Sequence, residues 1–243
     1  MKPIRVIESL ALVLVLTLVG CSTVPRTTAS TRLPMQHPYR LLLVHPNIQV
    51  RELTADGALS FREEWAETSR RNMATQLQRA LETRAGGAVS VMDSLAAGAD
   101  AAKVAELHLR HDALGRMMAR PKTVGRSLGD VAIDLGTGTR SDLLFIMHAD
   151  YTVRTTGRKV LIGAGMVGCA LLSQALLGGT NTCGNPDDGD ISGFASLIDA
   201  QNGEILWTSV AGQGFGDLRD DKQARKLARI LTKKLPDLKP VGQ

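Results

Sequence analysis

Short apolar runs along the chain predict the strands of one β-sheet. The continuous run Leu41–Val44 lies between Pro38 and Pro46, which is typical of a central strand buried on both faces. Alternating apolar and polar residues from Asp142 to Val153 predict a longer strand. Asp56-Gly57 and Asn202-Gly203 are hairpin turn signals. Strands are therefore expected at 41–44, 48–53, 88–92, 142–153, 191–199 and 204–211.

Apolar residues at helical spacing predict amphipathic helices between these strands. Ser60 with Glu63, and Ser127 with Asp130, have the spacing of a capping box at a helix start. The helix that follows Ser127 is expected to end at Gly136 and Gly138. The apolar stripes are Trp65, Met73, Leu77, Ala80 and Leu81; Val104, Leu107, His111, Leu114 and Met118; Leu128, Val131, Ala132 and Leu135; and Ala224, Leu227, Ala228, Leu231 and Leu235. The pattern predicts one α/β domain at 39–238, with a mixed sheet flanked by helices and a C-terminal hairpin and helix.

The uncharged, glycine-rich segment 160–179 interrupts this pattern. As a helix it would be roughly 30 Å long, so it can cross a bilayer, lie against one, or be buried in the domain. A full crossing would separate the strand ending at Val153 from the hairpin starting near Ile191. An isolated hairpin is marginally stable in water, which favours a crossover within one domain. The small residues Ala164, Gly168 and Ala175 then form a candidate interaction face.

The N-terminus has the organisation of a secretory signal. Lys2 and Arg5 precede an apolar run at 10–19 that is too short to span a membrane. Leu18-Val19-Gly20-Cys21 resembles the lipobox of bacterial lipoproteins. By this resemblance residues 1–20 are a signal peptide, Cys21 is acylated, and Ser22 directs the protein to the outer membrane. An ordinary secretory signal or an uncleaved anchor are the alternatives. The Ser-, Thr-, Arg- and Pro-rich segment 21–38 is predicted to be a flexible tether.

Charge and cysteine content narrow the classes of partner. The formal net charge of +5 suits lipid headgroups or anionic envelope polymers. Nucleic acid is not expected, because the chain has an export signal and no recognition motif. Cys169 and Cys183 can form a disulfide in an oxidising compartment. Spacing alone does not decide between that bond, a packing cysteine and a free loop thiol.

Histidine and carboxylate residues give weak signals of chemistry. His108 and His111 have the i, i+3 spacing of metal ligands, but no third ligand lies within sequence reach. His148 and Asp150 share one strand face, a possible acid–base pair. No serine or cysteine can be placed beside His148 as a nucleophile. We therefore expect no enzymatic activity, no metal and no cofactor.

Several motifs resemble a family of uncharacterised Gram-negative outer-membrane lipoproteins. They are Leu41–Pro46 with Arg51–Thr54 and Gly57, the hairpin SLIDAQNGEILW at Ser196–Trp207, and GDLRD at Gly216–Asp220 followed by Ala224-Arg225. The resemblance covers nearly all of the chain after the signal. It implies a domain similar to the α/β fold of the curli-export channel lipoprotein and of lipoproteins that activate penicillin-binding proteins. The family has no catalytic residues to transfer.

These observations favour a non-enzymatic binding or scaffolding lipoprotein in the periplasm. Acyl chains on Cys21 would hold it at the outer membrane, where it would bind another envelope protein. The alternative is a homo-oligomeric component of an envelope assembly or export complex, in which segment 160–179 contacts another subunit or the membrane.

Overall fold

A mixed β-sheet lies at the centre of the structure. The computed structural model describes residues 26–29, 38–85, 89–117, 124–154, 190–212, 216–236 and 238. The strands are β1 (Arg26–Ala29), β2 (Tyr39–Leu43), β3 (Asn47–Leu53), β4 (Leu59–Phe61), β5 (Val89–Asp93), β6 (Leu143–Arg154), β7 (Asp190–Asp199) and β8 (Ile205–Gly212). The helices are α1 (Glu63–Ala85), α2 (Ala101–Met117), α3 (Asp130–Thr139) and α4 (Asp221–Thr232). The predicted α/β class and single mixed sheet are confirmed.

The sheet combines parallel and antiparallel pairs. Its main order is β1-β8-β7-β6-β2-β5, and β3 pairs with both β6 and β4. Strands β2, β3 and β5 run parallel to their neighbours in the centre, whereas β6, β7, β8 and β1 form an antiparallel series. The hairpin predicted at Asn202-Gly203 joins β7 to β8, with Gly203 at a φ of 73°.

A bulge joins β2 to β3 along one edge of β6. Leu43 lies opposite Phe145 and Asn47 lies opposite His148, so the β2–β3 side contains one extra residue. Because side chains alternate between faces, the extra residue reverses the alternation. Ile48 therefore faces the same side as Leu43. Pro46 lies within this bulge, where it interrupts no ladder hydrogen bond.

Helices cover both faces of the sheet and create two cores. The first core contains Leu41 and Leu43 together with residues of α1 and α4. The second core contains Leu42 and Val44 together with residues of α2 and α3. Strand β2 is thus buried on both faces, as the continuous apolar run predicts. The apolar stripes on α1 and α4 also reach the core as predicted.

Both predicted capping boxes are wrong. Ser60 lies in β4 opposite Glu52, and α1 begins only at Glu63. Helix α3 follows Gly129 without a side-chain cap, because the Ser127 hydroxyl donates to the Asn202 carbonyl at 3.1 Å and accepts from the Gly129 N–H. Pairing with distant parts of the chain outweighs the local capping pattern in each case.

The helix α3 ends at Thr139, one residue after the predicted end at Gly136 and Gly138. A Cβ atom added at Gly136 would lie 2.5 Å from the Cβ of Ala200. This glycine therefore allows close packing against the hairpin turn rather than ending the helix.

Residues 26–29 lie within 21–38, the predicted flexible tether. They form β1, which pairs antiparallel with β8 from Arg26 opposite Val210 to Ala29 opposite Trp207. Backbone hydrogen bonding to an existing sheet edge needs no apolar period, which explains why the sequence pattern missed the strand.

Segment 160–179 lies outside the described residues, as do Cys21, Cys169, Cys183, Ala164, Gly168 and Ala175. The strands on either side of it are antiparallel neighbours, and Thr152 pairs with Asp190. The chain therefore leaves the sheet and returns to it at the same end, as in a hairpin, and not at opposite ends as in a parallel crossover. Among the described helices, none combines the length and apolarity needed to cross a bilayer.

Candidate functional site

A notch opens where parallel strands β2 and β5 end. Strand β5 stops at Asp93, opposite Leu43, whereas β2 continues through the bulge into β3. Ser94 fixes this step: its N–H donates to the Leu43 carbonyl at 3.0 Å, and its hydroxyl accepts the His45 N–H at 2.9 Å. Carboxyl ends of parallel strands are the usual place for binding sites in α/β domains.

The notch has a volume of about 510 Å³ and a mainly apolar lining. Helix α2 supplies one wall, and Leu109 on that wall is 70% exposed. Leu95, which follows β5, is 71% exposed. Arg70 and Glu67 of α1 form a charged rim, with the guanidinium also 2.7 Å from the Glu63 carboxylate. The lining residues are His45, Pro46, Asn47, Glu67, Arg70, Ser94, Leu95, Ala99, Ala101, Val104, Ala105, His108 and Leu109.

His108 lines the notch as a neutral imidazole. Its Nε2 donates to the His45 carbonyl at 2.9 Å, which leaves Nδ1 as a buried acceptor with no partner among the described residues. Burial, together with nearby His148 and His45, lowers the pKa of His108 from 6.5 to about 4, and the hydrogen bond to the His45 carbonyl opposes this shift. The side chain therefore adds a hydrogen-bond acceptor to the notch without adding charge at neutral pH.

His111, one turn further along α2, lies deeper than His108. Its Nε2 is 2.8 Å from the Ser196 hydroxyl, and both residues are fully buried. Burial holds the pKa of His111 well below its usual value. In the described part of the chain no group contacts His111 Nδ1, so no carboxylate orients this imidazole as in a catalytic triad.

The structure also brings His148 and Asp150 together, as their shared strand face predicts. His148 Nε2 is 3.6 Å from Asp150 Oδ2 and 3.5 Å from Asp112 Oδ1. Asp150 also lies 3.6 Å from Arg51. The Phe194 ring contacts both His111 and His148, with centroids 4.4 and 5.4 Å apart.

Sequence reasoning missed Asp112, Phe194 and Ser196 as neighbours of these histidines. Phe194 pairs with His148 across the sheet, and Ser196 lies two residues further along the same face of β7. The alternation of side chains along β7 puts Phe194 and Ser196 on the same face. The sequence around them does not indicate that this face packs against α2.

The two histidines that α2 carries at i, i+3 spacing have separate protein partners. His108 and His111 each direct Nε2 to a protein partner. Within the described ranges, no group of three or more His, Cys, Asp or Glu side chains is arranged to hold a metal ion.

The fold and the notch define a single α/β domain with a mixed sheet between two helical layers. No family model matches the chain, and no curated protein sequence matches it. Among solved structures, it is similar to the PelC dodecamer from Paraburkholderia phytofirmans in two crystal forms. In one crystal form the sequence identity is 11% and the TM-score is 0.39, and the match covers 86% of this chain and 95% of the PelC chain. In the other crystal form the sequence identity is 9% and the TM-score is 0.36, and the match covers 86% of this chain and 96% of the PelC chain.

The chain is also similar to the LpoB C-terminal domain from Salmonella enterica. Here the identity is 16% and the TM-score 0.30, over 75% of this chain and 86% of that chain. No residue role is transferred from either protein, and the lipoprotein family suggested by the sequence motifs stays a prediction.

Proposed function

We propose that this chain is a lipid-anchored, non-enzymatic binding module at the periplasmic face of the outer membrane. In this proposal the notch holds an apolar side chain of another envelope protein. The observation that carries the binding role is the pair of exposed leucines, Leu95 and Leu109, at one open concave site. Concave, mainly apolar sites with a few polar groups are typical of binding pockets.

The apolar contact contributes to the free energy of partner binding. Fully burying a leucine side chain contributes about 1.5–3 kcal/mol relative to leaving it exposed. Most of the surface of Leu95 and of Leu109 is in contact with water. A partner that covers both side chains therefore gains most of the burial free energy of each leucine. We expect Leu109→Ala to weaken partner binding about tenfold.

The location comes from the sequence. The signal at 1–20 and Cys21 in a lipobox-like context support export and acylation, and Ser22 supports the outer membrane. The burial of Ser196 and His111 supports a non-enzymatic role, because a substrate cannot reach the serine hydroxyl without opening the domain.

Site-specific photocrosslinking in intact cells tests the proposal. A photoreactive residue replaces Leu95 or Leu109, and the matched control replaces Leu59, a leucine that is 57% exposed and lies outside the notch. We expect the two notch positions to crosslink to an envelope protein and the control not to do so. Leu109→Glu, combined with the probe at Leu95, should abolish the adduct.

The same experiment separates this function from self-assembly through segment 160–179. Adducts at the notch positions that contain only copies of this 26.0 kDa chain would favour the homo-oligomeric alternative. Equal crosslinking from Leu59 and from the notch, or no adduct at all, would refute a specific site at the notch.

A further inference from the structure

A basic groove separates α1 from α4 on the sheet face opposite α2 and α3. Arg225 Nε donates to Gln76 Oε1 at 3.3 Å, and Arg84 donates to the Lys233 carbonyl at 2.8 Å, so the two helices run parallel. The groove between them has a volume of about 730 Å³. It is lined by Gln76, Arg79, Ala80, Thr83, Arg84, Arg225, Arg229, Ile230, Thr232 and Lys233.

The charged residues that line this basic groove are all cations. Within the described part of the chain, no carboxylate lies within ion-pair distance of Arg79, Arg84, Arg225, Arg229 or Lys233. Several arginines elsewhere form ion pairs with neighbouring carboxylates, namely Arg62 with Glu52, Arg70 with Glu63, Arg110 with Glu106 and Asp130, and Arg219 with Asp217. Among the described residues, the groove therefore concentrates cations that have no carboxylate partner.

Arg84 has a structural role at one end of the groove. Its two terminal nitrogens donate to the carbonyls of Lys233 and Leu235, where α4 ends. A cation at a helix C-terminus stabilises the helix through its interaction with the helix dipole, without any ligand. Arg79, Arg225 and Arg229 are exposed and keep terminal donors for a ligand.

Gln76 is an independent sign of a ligand. This side chain is 3% exposed, and its Nε2 has no hydrogen-bond partner among the described residues. The orientation of the amide is fixed because Arg225 Nε can only donate, so Gln76 must present its oxygen to Arg225. Proteins seldom keep a buried donor unsatisfied, and such exceptions often mark functional sites. A ligand oxygen in the groove would satisfy this donor.

We infer that the basic groove binds a discrete phosphate-bearing molecule with at least two negative charges. Guanidinium groups match phosphate oxygens in bidentate geometry, and an amide N–H adds a further donor. Ala80, Ile230 and the threonine methyl groups give the groove an apolar component that suits the carbon skeleton of a phosphorylated small molecule. The volume lies in the range of small-molecule sites.

A phosphate-bearing molecule and an anionic bilayer would use the groove differently. Attraction to a bilayer acts on the exposed cations and requires neither a concave site nor a buried donor. The buried, unpartnered Gln76 amide in the groove lining favours the discrete ligand.

Calorimetric titration of the full-length protein in nonionic detergent with inorganic pyrophosphate tests the inference. Arg79→Gln and Arg229→Gln should each weaken binding about tenfold, as expected for the loss of a charge-assisted hydrogen bond. The matched control is Arg71→Gln, the same change at an exposed arginine of α1 outside the groove, which should change affinity by less than about twofold.

Gln76→Met separates ligand binding from folding. The change removes the unsatisfied buried donor and also the oxygen that accepts from Arg225 Nε; because Arg225 is exposed and can donate to water instead, the thermal midpoint should change little. Pyrophosphate should bind about fivefold more weakly. A role in packing alone would lower stability and leave affinity unchanged, which would overturn the inference.

Two further arms test the ligand class. Citrate that binds as tightly as pyrophosphate would overturn the assignment to phosphate. Binding to phosphatidylcholine vesicles only when they contain phosphatidylglycerol, with no saturable pyrophosphate binding, would show diffuse membrane attraction and would also overturn it. Absence of all binding has the same consequence.

Discussion

The neutral state of His108 makes the stability of the domain dependent on pH. Burial lowers the pKa of this imidazole in the folded protein to about 4, whereas the unfolded chain retains a value near 6.5. The unfolded state therefore binds more protons between these values. The contribution to stability is fully present above pH 6.5 and is lost as the pH falls toward 4. The difference between the two pKa values corresponds to about 3 kcal/mol of unfolding free energy.

Replacing His108 with glutamine isolates this contribution. Glutamine keeps an N–H donor for the His45 carbonyl and cannot titrate. Denaturant unfolding at pH 7 and pH 4, followed through the fluorescence of fully buried Trp207, gives the free energy for each protein. We expect the wild type to lose about 3 kcal/mol more than His108→Gln between the two pH values.

Other groups do not obscure the comparison between the two proteins. The lowered pKa of His111 also makes the protein less stable as the pH falls. The lowered pKa values of Asp56 and Asp130 contribute stability that is lost at more acidic pH, where these carboxylates become protonated. All three groups are present in both the wild type and the variant. Equal losses for wild type and His108→Gln would refute the assignment of a buried, neutral His108.

Three other changes test packing, capping and anchoring. Gly115→Ala places a Cβ 2.0 Å from the Phe194 ring. The free energy of unfolding, measured by thermal unfolding, should therefore fall by about 1–3 kcal/mol. An unchanged thermal midpoint would contradict the close approach of α2 to β7. Asp220→Ala removes the cap that accepts the Lys222 N–H at 2.7 Å and should cost about 1 kcal/mol in denaturant unfolding, whereas Asp220→Asn should cost little. Cys21→Ala should abolish labelled-palmitate incorporation; persistent labelling would contradict acylation at Cys21.

Local sequence patterns predicted most of the secondary structure. The apolar run at Leu41–Val44 required burial on both faces, and the Asn202-Gly203 pair required a tight turn between two strands. The cap at Asp220 likewise depends on residues adjacent in sequence, because its side chain accepts the Lys222 N–H. These features are determined within a few residues, so one sequence is sufficient to find them.

The candidate site was less predictable because it depends on contacts between distant residues. The notch requires β5 to end at Asp93 while the chain past Leu43 bends through a one-residue bulge, and neither event has a strong local signal. The contact between His111 and Ser196 joins residues from α2 and β7. The basic groove likewise requires α1 and α4 to lie parallel, although their cationic residues are evident in the sequence.

The pairing of Thr152 with Asp190 has a consequence for how this protein can change over evolution. Strands β6 and β7 keep one register from Leu143 opposite Asp199 to Thr152 opposite Asp190, so the two strand ends that flank residues 155–189 are adjacent in the sheet. A change in the length of the chain between these ends costs little loop-closure free energy, because it leaves the β6–β7 pairs in place. Related proteins can therefore differ in length at this position and keep the same pairing of β6 with β7.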